Sequence, residues 1–179
     1  MARRIQADMA GRKLHVPPHS MEAEQSVIGG LLLGDNQDNK IWEAQIADTG
    51  LEPSDFYRRD HQLIFRAITQ LAERNEPMDV VTVGEQLERS GHLQQAGGMA
   101  YLGELARNIP SVANIRAYAQ IIRERSKLRQ IVGICSAGME RAYQPEGDSC
   151  AAVLDEIEQT CLPWVRLRRR ATLATSQRR

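Results

Sequence analysis

Arg58-Arg59-Asp60-His61-Gln62-Leu63-Ile64-Phe65-Arg66-Ala67-Ile68-Thr69-Gln70-Leu71-Ala72-Glu73-Arg74-Asn75 is the stretch on which the fold turns. Its apolar residues Leu63, Ile64, Ala67, Ile68, Leu71 and Ala72 recur at three- and four-residue intervals, which draws one continuous stripe along a helix. Phe56 and Phe65 add large apolar bodies that anchor it. The segment is therefore expected to be the core element of a helical domain. With 42% hydrophobic but only 4% aromatic residues in 179, Leu, Ile, Val and Ala have to fill that core, which suits helix-on-helix packing. The length allows one domain with a helical appendage.

Upstream, residues 1–17 are polar and of mixed charge and lead into Pro17-Pro18, so they read as a flexible arm. Ser20 can cap a first helix with Glu22 and Glu24 in its first turn, where the dipole favours acids, and Gly34 is placed to end it. Gly29-Gly30 weaken that helix, and close approach of another backbone would account for them. Ile41, Trp42 and Ile46 predict a short second helix before Gly50. Downstream, Thr82 and Glu85 form a capping box ahead of Leu87, with Gly91 as the stop signal. The next helix is expected from about Gly98 to Arg107 and to bury Met99, Leu102, Leu105 and Ala106.

After Ile109-Pro110, Ser111 can cap a long helix running from about Val112 to Tyr143. Ile115, Ala119 and Ile122 share one side of it, whereas Ile121, Leu128, Ile131, Cys135 and Met139 share another. One helix thus serves two partners. Gln144-Pro145-Glu146-Gly147 is a turn, Asp148 or Ser149 can cap, and Cys150, Val153, Leu154, Ile157 and Cys161 repeat at the spacing of a helical face. The two helices are expected to fold back as an antiparallel hairpin. Such a hairpin has little interior, so its remaining apolar surface invites a second copy.

Several stretches together resemble the N-terminal domain of the bacterial replicative DNA helicase, the DnaB family. They are Pro18-His19-Ser20-Met21-Glu22-Ala23-Glu24-Gln25 with Leu31-Leu32-Leu33, the run from Pro53 to Ile68, Asp79-Val80-Val81-Thr82-Val83, Gly97-Gly98-Met99-Ala100-Tyr101-Leu102, Ile109-Pro110-Ser111-Val112-Ala113-Asn114, and Tyr118-Ala119 ahead of Arg123-Glu124-Arg125. Their order and spacing fit the family from about Pro17 to about Gln159. The resemblance implies an all-α fold: a globular helical domain over 18–108 after the arm 1–17, and a hairpin over 109–161. It also implies hairpins that pair between subunits into a dimer or a hexameric collar, docking of primase and helicase loader, and a role in ring organisation during DNA replication. DNA contact would fall mainly to the family's motor domain.

Residues 162–179 depart from the family. Leu162-Pro163-Trp164 and the Arg-rich remainder fit neither its linker helix nor its motor, as expected of a chain cut before the motor by a shifted reading frame or a chosen boundary. No GxxxxGK[ST] phosphate loop occurs, and Gly97-Gly98 lacks the lysine. No cofactor is therefore expected here, and ATP with Mg would belong to the parent family's motor. The chain is expected not to be an enzyme by itself. The alternative class is the intact ATP-dependent helicase of which this is a fragment.

Residues 1–165 hold 17 basic against 23 acidic side chains, whereas Arg166, Arg168, Arg169, Arg170, Arg178 and Arg179 follow the last acid. An acidic body does not suit phosphate neutralisation, but Arg166, Arg168, Arg169 and Arg170 beside Trp164 are candidate nucleic-acid contacts, set against the plainer reading of a solvated tail. Cys135, Cys150 and Cys161 have no CxxC spacing and read as reduced thiols. His15 and His19 have a metal-like spacing that Pro17-Pro18 denies to a helix, and His61 reads as structural. With no apolar run of membrane-spanning or secretory length, no membrane partner and a cytoplasmic location are expected. The candidate oligomer and partner surface is Ile121, Leu128, Ile131, Cys135, Met139, Val153, Leu154 and Ile157.

Overall fold

A computed structural model describes residues 15–33, 41–108, 112–144, 147 and 149–160, and among these there are helices and turns but no strand. Helix α1 is Met21–Leu33, α2 Arg59–Glu73, α3 Val80–Arg89, α4 Gly98–Arg107 and α5 Ile115–Tyr143. Residues 150–160 form a sixth helix, α6. The chain divides into two compact units between Ser126 and Lys127, within α5. We refer to them as the head and the arm.

The head is assembled around α1. Ala23, Glu24, Ser26, Val27, Ile28, Gly29, Gly30, Leu31 and Leu32 are all buried, so α1 is covered on nearly every side, as an all-round apolar helix must be. It touches α2, α3 and α4. The stripe on α2 is buried as its periodicity requires, through Leu63, Ile64, Ala67, Ile68 and Leu71, with Phe65 and Phe56 fully enclosed beside it. Their rings meet at 4.7 Å. The α5 residues Ile115, Ala119 and Ile122 close the same core. Gly30 is explained by a side chain rather than by a backbone: a Cβ there would run into Cδ1 of Ile115.

Local signals were redistributed by the fold. Ser20 does cap α1, its hydroxyl accepting from the Ala23 amide at 3.3 Å. The cap of α3 is Asp79 rather than Thr82: the Asp79 carboxylate accepts from the amides of Val81 and Thr82 at 2.8 and 2.9 Å. Thr82 turns its hydroxyl to the Pro77 carbonyl instead. With the helix starting at Val80, Thr82 lies inside its first turn, and the amides of Val81 and Thr82 are the ones left for the Asp79 carboxylate to satisfy. Gly91 ends α3 at φ 72°, with His92 N–H donating to Leu87 and Gly91 N–H to Glu88, the double closure of a left-handed C-terminus. The expected second helix is a π-turn, Trp42–Ile46, followed by a 3₁₀ turn, Ala47–Thr49. A further 3₁₀ turn, Val112–Asn114, precedes α5. Met99 is not buried with Leu102, Leu105 and Ala106 but is 43% exposed. Gly34 and Ser111 lie outside the described residues.

One polar chain crosses the apolar core. Glu24 on α1 is 1% exposed and His61 on α2 is 0% exposed. The Glu24 carboxylate accepts from the amide of Tyr57 at 2.7 Å, from that of Arg58 at 3.4 Å and from Nδ1 of His61 at 2.7 Å. Nε2 of His61 meets the Tyr101 hydroxyl of α4 at 2.8 Å. Glu24 therefore caps α2 from another helix, satisfying amides that have no partner within α2. Burial pushes the Tyr101 phenol above its ordinary pKa, opposed by a hydrogen bond to Gln25 and by the Arg58 cation, which sits 5.6 Å over the ring.

Three substitutions test this packing by thermal unfolding. Glu24→Ala leaves the fully buried His61 imidazole and two part-buried amides without their partner and should cost about 3–5 kcal/mol. Gly30→Ala should cost about 1–3 kcal/mol through overpacking against Ile115. Gly103→Ala, where a Cβ meets nothing within 4 Å, should instead be neutral or stabilise by up to about 1 kcal/mol.

Candidate functional site

The arm is an antiparallel hairpin of the α5 segment beyond Ser126 and α6. Gly138 faces Ile157, where a Cβ on the glycine would lie 3.3 Å from two side-chain carbons. Arg141 Nε donates to the Glu156 carboxylate at 2.9 Å. Ile134, Ala137, Gly138, Arg141, Glu156, Ile157 and Thr160 line a small cleft along the seam. Rising numbers on one helix meet falling numbers on the other. Ser149 starts α6, its hydroxyl accepting from the Ala152 amide at 3.3 Å. Gly147 in the turn has φ 93°.

The seam uses a face of α5 that the sequence analysis did not single out. At about 100° per residue, Ile134, Ala137, Gly138 and Arg141 share one side. Leu128, Val132, Cys135 and Met139 centre about 140° from it by the same count, with Ile131 between the two. The predicted stripe thus points away from α6. Leu128 is 41%, Ile131 47% and Val132 52% exposed; Cys135 is exposed and Met139 half-buried. Ile121, on the head side of the division, is at the margin of exposure.

On α6 the predicted face also divides. Val153 is buried and Ile157 half-buried at the seam, whereas Leu154 is 54% exposed. Because α6 runs against α5, its sense of rotation is reversed, and Leu154 projects on the same side of the hairpin as Leu128 and Ile131. Both helices therefore contribute to one apolar face. Cys150 is exposed like Cys135. Cys161, Arg166, Arg168, Arg169 and Arg170 lie outside the described residues. Val132 and the seam residues were the omissions. A wider reading of α5 would have found them, since Ile134, Ala137, Gly138 and Arg141 repeat at helical spacing with a small residue at the centre.

Two histidines of the head are held in structural contacts. Both His61 nitrogens are engaged by Glu24 and Tyr101, and His19 stacks on Tyr57 at 4.4 Å. Among the described residues no group of His, Cys, Asp and Glu side chains is placed to hold a metal ion, and no helix is long and apolar enough to cross a membrane.

The architecture is that of an all-helical head carrying a helical hairpin. The DnaB-like helicase N-terminal domain family matches residues 16–124, and the chain belongs to that family. It is 41% identical over 150 residues to the replicative DNA helicase DnaB of Buchnera aphidicola, covering 84% of this chain and 31% of that protein. To the DnaB of Haemophilus influenzae it is 38% identical over 153 residues, covering 86% and 31%. The chain thus spans about a third of the length of these relatives. Among solved structures it resembles the N-terminal domain of DnaB helicase from Mycobacterium tuberculosis, with TM-score 0.71 and 35% identity over 82% of this chain and 99% of that one. A DnaB-like replicative helicase whose structure is described with its primase interactions matches with TM-score 0.56 and 25% identity, covering 78% of this chain and 32% of that one.

The glycines of the arm give a direct check on the hairpin geometry. Gly138→Val should force the seam apart and lower the 222 nm helical signal. Gly133→Ala, where a Cβ meets nothing within 4 Å, should raise helix stability by up to about 1 kcal/mol. Equal signals for the two variants would contradict the close approach at Gly138.

Proposed function

We propose that this chain is an assembly and partner-docking module of a replicative DNA helicase, acting in DNA replication by organising subunits through its hairpin arm. The observation that carries the reading is the single apolar face built from Leu128, Ile131, Val132 and Leu154. Fully burying side chains of this size is worth about 1.5–3 kcal/mol each, and a twofold pairing buries the same set on both copies. Charge supports a second copy as the occupant. Arg125, Lys127 and Arg129 lie at alternate positions on α5, whereas 150–160 holds Asp155 and Glu158, besides the seam acid Glu156, and no basic residue. Laying α6 of one copy beside that α5 segment of the other joins opposite charges.

On this reading Ile121, Leu128, Ile131, Cys135, Met139 and Leu154 meet the partner copy, while Val153 and Ile157 hold the hairpin that presents them. Pairs of this kind are the unit from which a hexameric collar grows. Docking of primase and of a helicase loader, and a cytoplasmic location, extend the reading by family membership. The DnaB-like helicase described with primase is what favours primase among them. Residues 1–179 contain no phosphate loop, so ATP, Mg and the strand-separating chemistry are assigned to the motor portion of the longer relatives. The chain alone should show no ATP hydrolysis stimulated by single-stranded DNA.

Leu128→Asp and Leu154→Asp place charges in the proposed contact. Light scattering should return the mass of one chain for both variants at concentrations where the unchanged chain has at least twice that mass. Variants that keep the parent's oligomeric mass would rule the face out.

A further inference from the structure

The head and the arm are built to very different standards. The head closes over a core that includes Ile28, Leu31, Phe56, Ile64, Phe65, Ile68, Leu102, Ile115 and Ile122, each at most 1% exposed. Among the described residues from 127 onward, Val153 alone is buried. The ties across the seam include the Arg141–Glu156 pair, whose side chains are 25% and 61% exposed, and the contact of Ile157 with Gly138. Exposed pairs of this kind contribute little, because water screens them and two side chains must be ordered to make them.

Intrinsic helix stability does not make up the difference. A helix that packs little of its surface has little else to hold it, because most helical stability in proteins comes from tertiary burial of an apolar face rather than from propensity. α5 carries two interior glycines, Gly133 and Gly138, and Gly133 has no neighbour that would need the missing side chain. In a lone chain its conformational cost is not offset by packing.

We infer that the arm folds by association: in a single chain the hairpin opens locally while the head stays folded, and burial of the Leu128–Ile131–Leu154 face against a second copy is what closes the hairpin. This rests on the pairing proposed above and adds its regulation. Assembly then pays an ordering cost at the moment of contact, which lowers affinity per area and makes pairing steeply concentration-dependent. Any influence on helix formation in the arm becomes an influence on assembly. The head, with its own core, is exempt.

Amide hydrogen exchange read by mass spectrometry, with the mass of each sample fixed by light scattering, tests this on the full chain. In dilute wild-type protein and in Leu128→Asp, both at the mass of one chain, peptides covering 134–143 and 153–160 should exchange at least about tenfold faster than those covering 63–71. Leu128 does not face α6, so this substitution leaves the seam intact. In paired wild type the arm peptides should slow at least about tenfold and the head peptides stay as they were. Arm peptides as protected as head peptides in either monomeric sample would overturn the inference, as would pairing without added protection. A wild-type mass that never exceeds one chain would instead overturn the pairing itself, and the dilute samples would still decide whether the hairpin stands alone.

Discussion

The head depends on one carboxylate placed where a carboxylate should be costly. Glu24 sits in the most buried helix of the molecule, and an unpaired charge there would oppose folding by several kcal/mol. It is tolerated because the N-terminus of α2 and His61 converge on it, with donors at 2.7 Å from Tyr57 and from the imidazole. The requirement runs both ways. The amides ahead of α2 have no partners inside that helix, so α1 and α2 can bury their apolar faces together only in the register that brings Glu24 under them. Tyr101 extends the same condition to α4 through His61. Apolar packing drives the head together, and the polar chain selects the arrangement.

Much of this was legible in the sequence, and the parts that were not share a cause. The stripe from Leu63 to Leu71 marked α2 because a periodicity of 3.6 is local information, and Ser20 and Gly91 marked the ends of their helices for the same reason. Glu24 looked like an ordinary first-turn acid, since nothing local distinguishes an acid facing water from one that caps a different helix. Asp79 is the cap rather than Thr82 because the helix starts three residues earlier than the Thr82–Glu85 pattern suggests, at Val80, which puts Thr82 inside its first turn. Met99 fitted the apolar face of α4 but opposes Gly84 at the margin of the head, where a Cβ on the glycine would fall within 3.0 Å of its terminal methyl.

The same logic separates the two faces of α5. A stripe read from sequence says that a surface will be covered but not by what. Leu128, Cys135 and Met139, with Val132 beside them, form the more apolar stripe, and periodicity alone does not say whether they make the contact with α6. The structure gives that contact to Ile134, Ala137 and Gly138, where small residues let α6 approach. The larger side chains are left outward beside Leu154. The arrangement resembles a half-built core: among the described residues of the arm one side chain is buried, and an apolar face is left exposed. It is the physical reason for treating the arm as an assembly device, in a chain whose family membership places it with replicative helicases.

The claim that this face is the buried one is tested most directly by the reactivity of Cys135, which lies exposed within it. With Cys150 and Cys161 replaced by serine, the rate of labelling by a thiol reagent is followed across a concentration series in which light scattering reports the mass. The account predicts rapid labelling of single chains and a fall of at least about tenfold once chains pair, as an exposed group becomes enclosed. A Cys135 thiol that labels equally fast in the paired state would place the contact elsewhere and contradict the account.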